Sequence, residues 1–181
     1  MSKIAVVTDS TSYIPAELLK KHNITMVPQV LIWDDQTYQD GIDIQPAEFY
    51  TRLQSSKTMP TTSQVSVVKM QNIFQDLVDK GFDVIAVLVS SKLSGTIQSA
   101  TQACELIGAA ADKIHIVDSL STAMALGWQA LAVARAAEAG ASLQDCIALG
   151  KKAHEHAGVV FAVDTLEFLH RGGRIGGAQR F

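Results

Sequence analysis

A chain of 181 residues, 48% apolar, 6% aromatic and with a formal charge of −3, has length for one good core and the start of a second lobe. Its mild acidity and lack of a basic stripe argue against a nucleic-acid surface, and it has no acidic block of the kind that marks a disordered tail. Met1 leads straight into an apolar run at residues 4–7 that stops at Asp9, too short for a secretory signal and lacking a cleavage site, so the chain is expected to be cytoplasmic.

In chain order, residues 4–7 read as a first strand, and Pro15 followed by Glu17 marks a helix start. Residues 24–27 read as a second strand. Val30-Leu31-Ile32-Trp33, Asp34-Asp35-Gln36 and Thr37-Tyr38-Gln39 then suggest a hairpin closed by Asp40-Gly41, expected to pad the sheet rather than edge a cleft. Pro46 and Glu48 open another helix. The spacing of Val67, Met70, Ile73, Phe74, Leu77 and Val78 predicts a helix that ends at Lys80-Gly81. Residues 84–89 and 114–117 are further strands. Residues 122–141, interrupted by Gln129, Arg135 and Glu138, read as a buried alanine-rich helix and not a membrane span. Residues 159–163 read as one more strand. Near-continuous apolar strands alternating with helices define an α/β fold with a mostly parallel sheet and helices on both faces.

Two hydroxyl-rich segments stand out: Pro60-Thr61-Thr62-Ser63-Gln64 and Ser90-Ser91-Lys92-Leu93-Ser94-Gly95-Thr96. The second lies between a strand and a helix, where open α/β sheets bind ligands and helix N-termini favour negative charge. It suits an anionic head group held by hydroxyls rather than cations. Such residues also cap helices and tighten turns, and the residues alone leave both readings open.

Those segments, with Val7-Thr8-Asp9-Ser10-Thr11, Val117-Asp118-Ser119 and the stretch from Leu166 through His170-Arg171-Gly172-Gly173-Arg174-Ile175, occur in the order of the DegV family. The resemblance covers essentially the whole chain. It implies a two-lobed, non-catalytic cytosolic protein that binds a long-chain fatty acid such as palmitate and, where the relevant kinase exists, presents the carboxylate to a separate fatty acid kinase subunit. The family's carboxylate-binding threonine and serine match Thr62 and Ser94. No cofactor and no metal are implied. Members normally continue beyond Phe181 into a second lobe. Residues 1–158 are therefore expected to form the ligand-binding lobe and residues 159–181 the connection into a truncated second lobe. The site is expected to be open, with an apolar face that favours a homodimer. A non-binding fragment and a small-molecule phosphotransferase are the alternatives, the latter without any P-loop in the sequence.

Other candidates carry less. Asp9 and Asp118 each follow a strand and are expected to satisfy loop N–H groups. His154 and His156, two apart on a helix, point to different sides, and His115 is expected to pack. Cys104 and Cys146 are expected to act as small apolar side chains. Arg171 and Arg174 are expected to contact a partner or the second lobe rather than ligand.

Overall fold

The computed structural model describes residues 3–175; Met1, Ser2 and the Gly176-Gly177 pair lie outside them. Four strands, β1 (Lys3–Asp9), β2 (Thr25–Val27), β6 (Phe82–Leu88) and β7 (Ile114–Asp118), form an all-parallel sheet in the order β2-β1-β6-β7. The fold is α/β, as the strand composition implies. Alternation splits each strand between two cores. Val6, Ile85, Val87 and Val117 pack with Leu126, Leu131, Cys146 and Ile147 from α5 (Ala123–Glu138) and α6 (Leu143–Lys152). Val7, Val84, Ala86 and Leu88 pack with Met70, Phe74 and Ala100 from α3 (Val67–Asp79) and α4 (Thr96–Ile107). Burying both faces of a strand is what makes it read as a continuous apolar run.

Helix limits follow local chemistry. Ser66 caps α3 by accepting from Lys69 N–H, and Gly81 takes the left-handed φ of +84° that ends it. The short α1 (Ala16–Lys21) follows Pro15, and α2 (Pro46–Ser55) opens on Pro46, a position that needs no N–H donor. The 122–141 window is α5, and no described helix is long and apolar enough to cross a membrane.

The hairpin is present as β3 (Val30–Trp33) and β4 (Gln36–Gln39). Asp34 and Asp35 form its two-residue loop, with left-handed φ of 51° and 60°, the conformation that matches strand twist. With β5 (Thr61–Ser63) it makes a separate antiparallel sheet, order β4-β3-β5. Trp33 is buried there, with the Phe49 ring of α2 edge-on at 5.3 Å.

Residues 159–163 are not a strand. They have no regular secondary structure, with Val160 fully exposed and Phe161 66% exposed. A strand needs a hydrogen-bonding neighbour, and this segment pairs with neither sheet among the described residues. The short α7 (Glu167–Arg171) follows it.

Candidate functional site

In the order β2-β1-β6-β7, the chain leaves β1 towards one edge and β6 towards the other, so β1 and β6 flank the switch point of the sheet. Asp9, at the end of β1, is fully buried and locks that point: Val89 N–H donates to its Oδ2 at 2.7 Å, and Thr11 donates from N–H at 3.0 Å and from Oγ1 at 2.7 Å. Asp118 does the same after β7, accepting from Leu120 N–H at 2.9 Å. Both aspartates satisfy loop donors, as their position after a strand suggests.

A cavity of about 340 Å³ opens over this switch point. Its polar lining includes Thr11, Gln29, Thr62, Ser94, Thr122 and Arg174, and its apolar lining Leu31, Ile44, Pro46, Phe49, Val89 and Leu93. The two hydroxyls singled out in the sequence, Thr62 and Ser94, thus line one cavity although Thr62 sits on β5 of the small sheet and Ser94 in the loop between β6 and α4. Thr62 lies opposite Leu31 on neighbouring strands, so both side chains share a face of the small sheet. Ser94 stands one residue before Gly95, the N-cap of α4, and its Oγ lies 3.0 Å from Thr96 Oγ1.

Two expectations need correction. The hairpin does not merely pad the sheet: Val30 and Leu31 form the cavity's wall, because β3 pairs with β5 and carries Thr62 to the cavity with it. Arg174 does not point away from the cavity. Gly173 N–H donates to His170 O and Arg174 N–H to Leu169 O, both at 2.9 Å, the paired bonds of a Schellman cap with Gly173 at φ +75°. That turn sends the guanidinium back over the cavity, where Nη2 donates to Thr62 Oγ1 at 3.5 Å. The cavity lining therefore includes a cation, Arg174, and a carboxylate, Asp40, as well as hydroxyls. Arg171 instead pairs with Glu167 at 2.5 Å on its own helix.

Residues missed by pattern reading include Tyr13, Gln29, Asp40 and Phe49, all in the lining. Tyr13 holds a left-handed φ of +50° after β1, a backbone cost that points to a positional constraint. Burial, then nearby Asp40 and Tyr50, push its phenol above the usual 10.0, keeping the hydroxyl protonated. A second, more open depression of about 910 Å³ lies at the amino ends of β1, β2 and β6, lined by Lys3, Lys20 and His22. It is at the wrong end of the sheet for an α/β ligand site and has no comparable cluster of hydroxyls. Among the described residues no group of three or more His, Cys, Asp or Glu is arranged to hold a metal ion.

A parallel α/β lobe with a cavity at its switch point, lined by both polar and apolar side chains, is the architecture of a small-ligand-binding domain. Residues 3–181 match the family model described as "uncharacterised protein, DegV family", and the chain belongs to that family. A DegV domain-containing protein of Caldanaerobacter subterraneus subsp. tengcongensis is 39% identical over 180 residues, covering 99% of this chain and 63% of the relative. Among solved structures, DegV from Bacillus subtilis, described as a fatty acid binding protein, is 34% identical with a TM-score of 0.87 over 99% of this chain and 63% of that one. A fatty-acid-binding DegV family protein from Thermus thermophilus is 32% identical with a TM-score of 0.85 over 99% and 62% of the two chains. A stearic acid-binding protein from Eubacterium ventriosum is 29% identical, with a TM-score of 0.81 over 98% and 61%. The chain thus spans a little over three-fifths of the length of these relatives.

Proposed function

We propose that this lobe binds a long-chain fatty acid, with its carboxylate at Thr62, Ser94 and Arg174 and its alkyl chain along β3 and α2. The observation that carries the reading is the mixed lining of one cavity, in which hydroxyls and a guanidinium occur together with Leu31, Ile44 and Phe49. A buried carboxylate is costly unless several donors meet it, and bonds to an ionised acceptor are the stronger kind. Each buried methylene adds roughly 0.8 kcal/mol, so a sixteen-carbon tail supplies on the order of 10 kcal/mol before association costs. Burial sets affinity and the head-group donors set orientation. The fatty-acid-binding descriptions of structures at 32% and 34% identity support the same ligand class.

Residues 1–158 are assigned to the ligand-binding lobe and residues 159–181 to a connection towards a further lobe. The exposed apolar side chains of Val160 and Phe161, and the greater length of the relatives, support that division. In this reading the protein is a non-catalytic carrier that hands the acyl carboxylate to a separate kinase subunit.

The test is native mass spectrometry of the purified chain with extraction of co-purified lipid, followed by palmitate titration. Each donor to the carboxylate is worth about 1.5–3 kcal/mol, so Thr62→Ala with Ser94→Ala is expected to weaken binding at least 100-fold. Arg174→Ala alone is expected to weaken it about tenfold or more. A parent chain that neither carries nor takes up fatty acid refutes the proposal for this lobe.

A further inference from the structure

Ser94 is the outer end of a buried polar chain that runs through Thr96 to Gln29. Thr96, fully buried at the start of α4, has its Oγ1 3.0 Å from Ser94 Oγ. Its other neighbour is the side-chain amide of Gln29, whose Nε2 donates to Thr96 Oγ1 at 2.9 Å while its Oε1 lies at 3.2 Å. Gln29 is buried too, and its main chain is pinned on both sides. Its N–H donates to Ser10 Oγ at 3.1 Å, its C=O accepts from Asp40 N–H at 3.0 Å, and Ser10 Oγ–H donates to Asp40 Oδ2 at 2.6 Å.

A hydroxyl has one proton, so direction propagates along such a chain. When Gln29 Nε2–H donates to Thr96, the Thr96 proton is free to go to Ser94 Oγ, and Ser94 must then donate outwards. In the opposite direction Ser94 donates inwards to Thr96, Thr96 donates to Gln29 Oε1, and Ser94 shows only lone pairs to the cavity. The first direction welcomes an anion; the second repels one. Both amide atoms of Gln29 reach Thr96 Oγ1, and a carboxylate in the cavity, which can only accept, selects the first direction.

We propose that Gln29 and Thr96 are positioning residues that fix the Ser94 hydroxyl as an outward donor, and so make the cavity select an ionised carboxylate over a neutral acyl group. This rests on the fatty-acid reading above. No proton leaves the relay; each hydroxyl only turns. Cooperative polarisation along the three donors strengthens the last bond, the one to the ligand.

The experiment loads radiolabelled palmitate or methyl palmitate from cyclodextrin onto the full chain and its variants, and compares the two dissociation constants. The parent is expected to prefer the acid strongly. Thr96→Val, nearly isosteric, is expected to lose about 3- to 10-fold in palmitate affinity with less than a twofold change for the ester, since Ser94 keeps its proton but loses the donor that orients and polarises it. Thr96→Ser is expected to restore the parent preference. Gln29→Met, which leaves both hydroxyls in place, is expected to reduce the acid preference by about 3- to 10-fold as the relay loses its fixed end. Equal losses for acid and ester in both Thr96→Val and Gln29→Met indicate a packing role and overturn the inference, as does an unchanged acid preference in both. A parent that binds neither probe overturns the fatty-acid reading itself, a result distinct from loss of selectivity in the variants.

Discussion

The carboxylate of Asp9 sits where the ends of β1 and β6 meet beneath the cavity, and its removal tests whether that junction is held electrostatically. It is fully buried and takes donors from Val89 N–H, Thr11 N–H and Thr11 Oγ1. Asp9→Ala leaves the Val89 N–H, in a residue only 2% exposed, without a partner. An orphaned buried donor costs about 1–3 kcal/mol. Losing the cap to the short helical turn at Ser10–Ser12 costs about 1 kcal/mol more, and the bonds lost were to a charged acceptor. The sum is about 2–4 kcal/mol, which for a chain of this size lowers Tm by roughly 10 °C. Asp9→Asn keeps an acceptor for one donor but turns an NH2 towards another, so its loss should be intermediate. Equilibrium urea unfolding, with m unchanged across the series, reads the difference. An Asp9→Ala variant within about 1 kcal/mol of the parent would refute the idea that this carboxylate holds the two strand ends together.

Three further outcomes follow from packing and charge. Gly127 lies where α5 crosses the turn after β1, and a Cβ there would fall 2.6 Å from the Ser12 carbonyl oxygen, a backbone atom that cannot move aside. Gly127→Ala should lose about 1–3 kcal/mol in a thermal melt, despite its better helix propensity, and a neutral or stabilised variant would contradict the close approach. Burial pushes the Cys104 and Cys146 thiols above their ordinary 9.0, with Glu105 and Asp145 adding to it, so a thiol reagent at pH 7.5 should react slowly with the native chain and fully once it is unfolded. Rapid native labelling of Cys146 would sink that expectation. The Asp34 carboxyl is held below 3.8, first by the Thr58 hydroxyl and then by Arg52, which bonds it at 2.9 Å. A carboxyl lowered on folding stabilises above its unfolded value and loses that contribution as pH falls through its folded one. The urea midpoint of Asp34→Asn should therefore trail the parent at pH 6, with the gap closing towards pH 2.5; a gap that persists in acid contradicts it.

How much of this was legible in the chain depends on whether the cause was local. Asp9 and Asp118 were readable as loop anchors because an aspartate just after a strand meets its donors within a few residues. The hairpin was readable from Asp34-Asp35, yet its part in the cavity was not, since that depends on β3 pairing with β5 some thirty positions on. Residues 159–163 failed as a strand for the same physical reason: β-branched composition expresses readiness to pair, and pairing is tertiary. Arg174 is the most instructive case. The Gly172-Gly173 pair announces a tight helix end, and the Schellman turn is indeed there, but which way it aims the guanidinium depends on where α7 sits against β5. Thr62 and Ser94, picked by motif order, do line one cavity, and Thr96 closes the same hydroxyl-rich segment as Ser94, while Gln29 had no pattern to betray it.

The alternative of a phosphate ligand can be weighed on the same geometry. Helix N-termini and hydroxyl loops at a switch point suit any small anion, and many α/β domains place phosphate there. Such a ligand is polar throughout and gains nothing from an apolar wall beside it. Here the residues between β2 and α3 depart from the parallel sheet to build that wall, and they bring Leu31 and Thr62 onto one face and Phe49 alongside. Hydrocarbon beside an anion site stabilises only a ligand with both characters. On the proposed reading the parallel sheet supplies an anion site of a common kind, and the small antiparallel sheet with α2 narrows it to an amphiphile. Polar replacement on that wall, Leu31→Asn for instance, should therefore weaken a long-chain acid far more than a short-chain one, in proportion to the methylenes it touches.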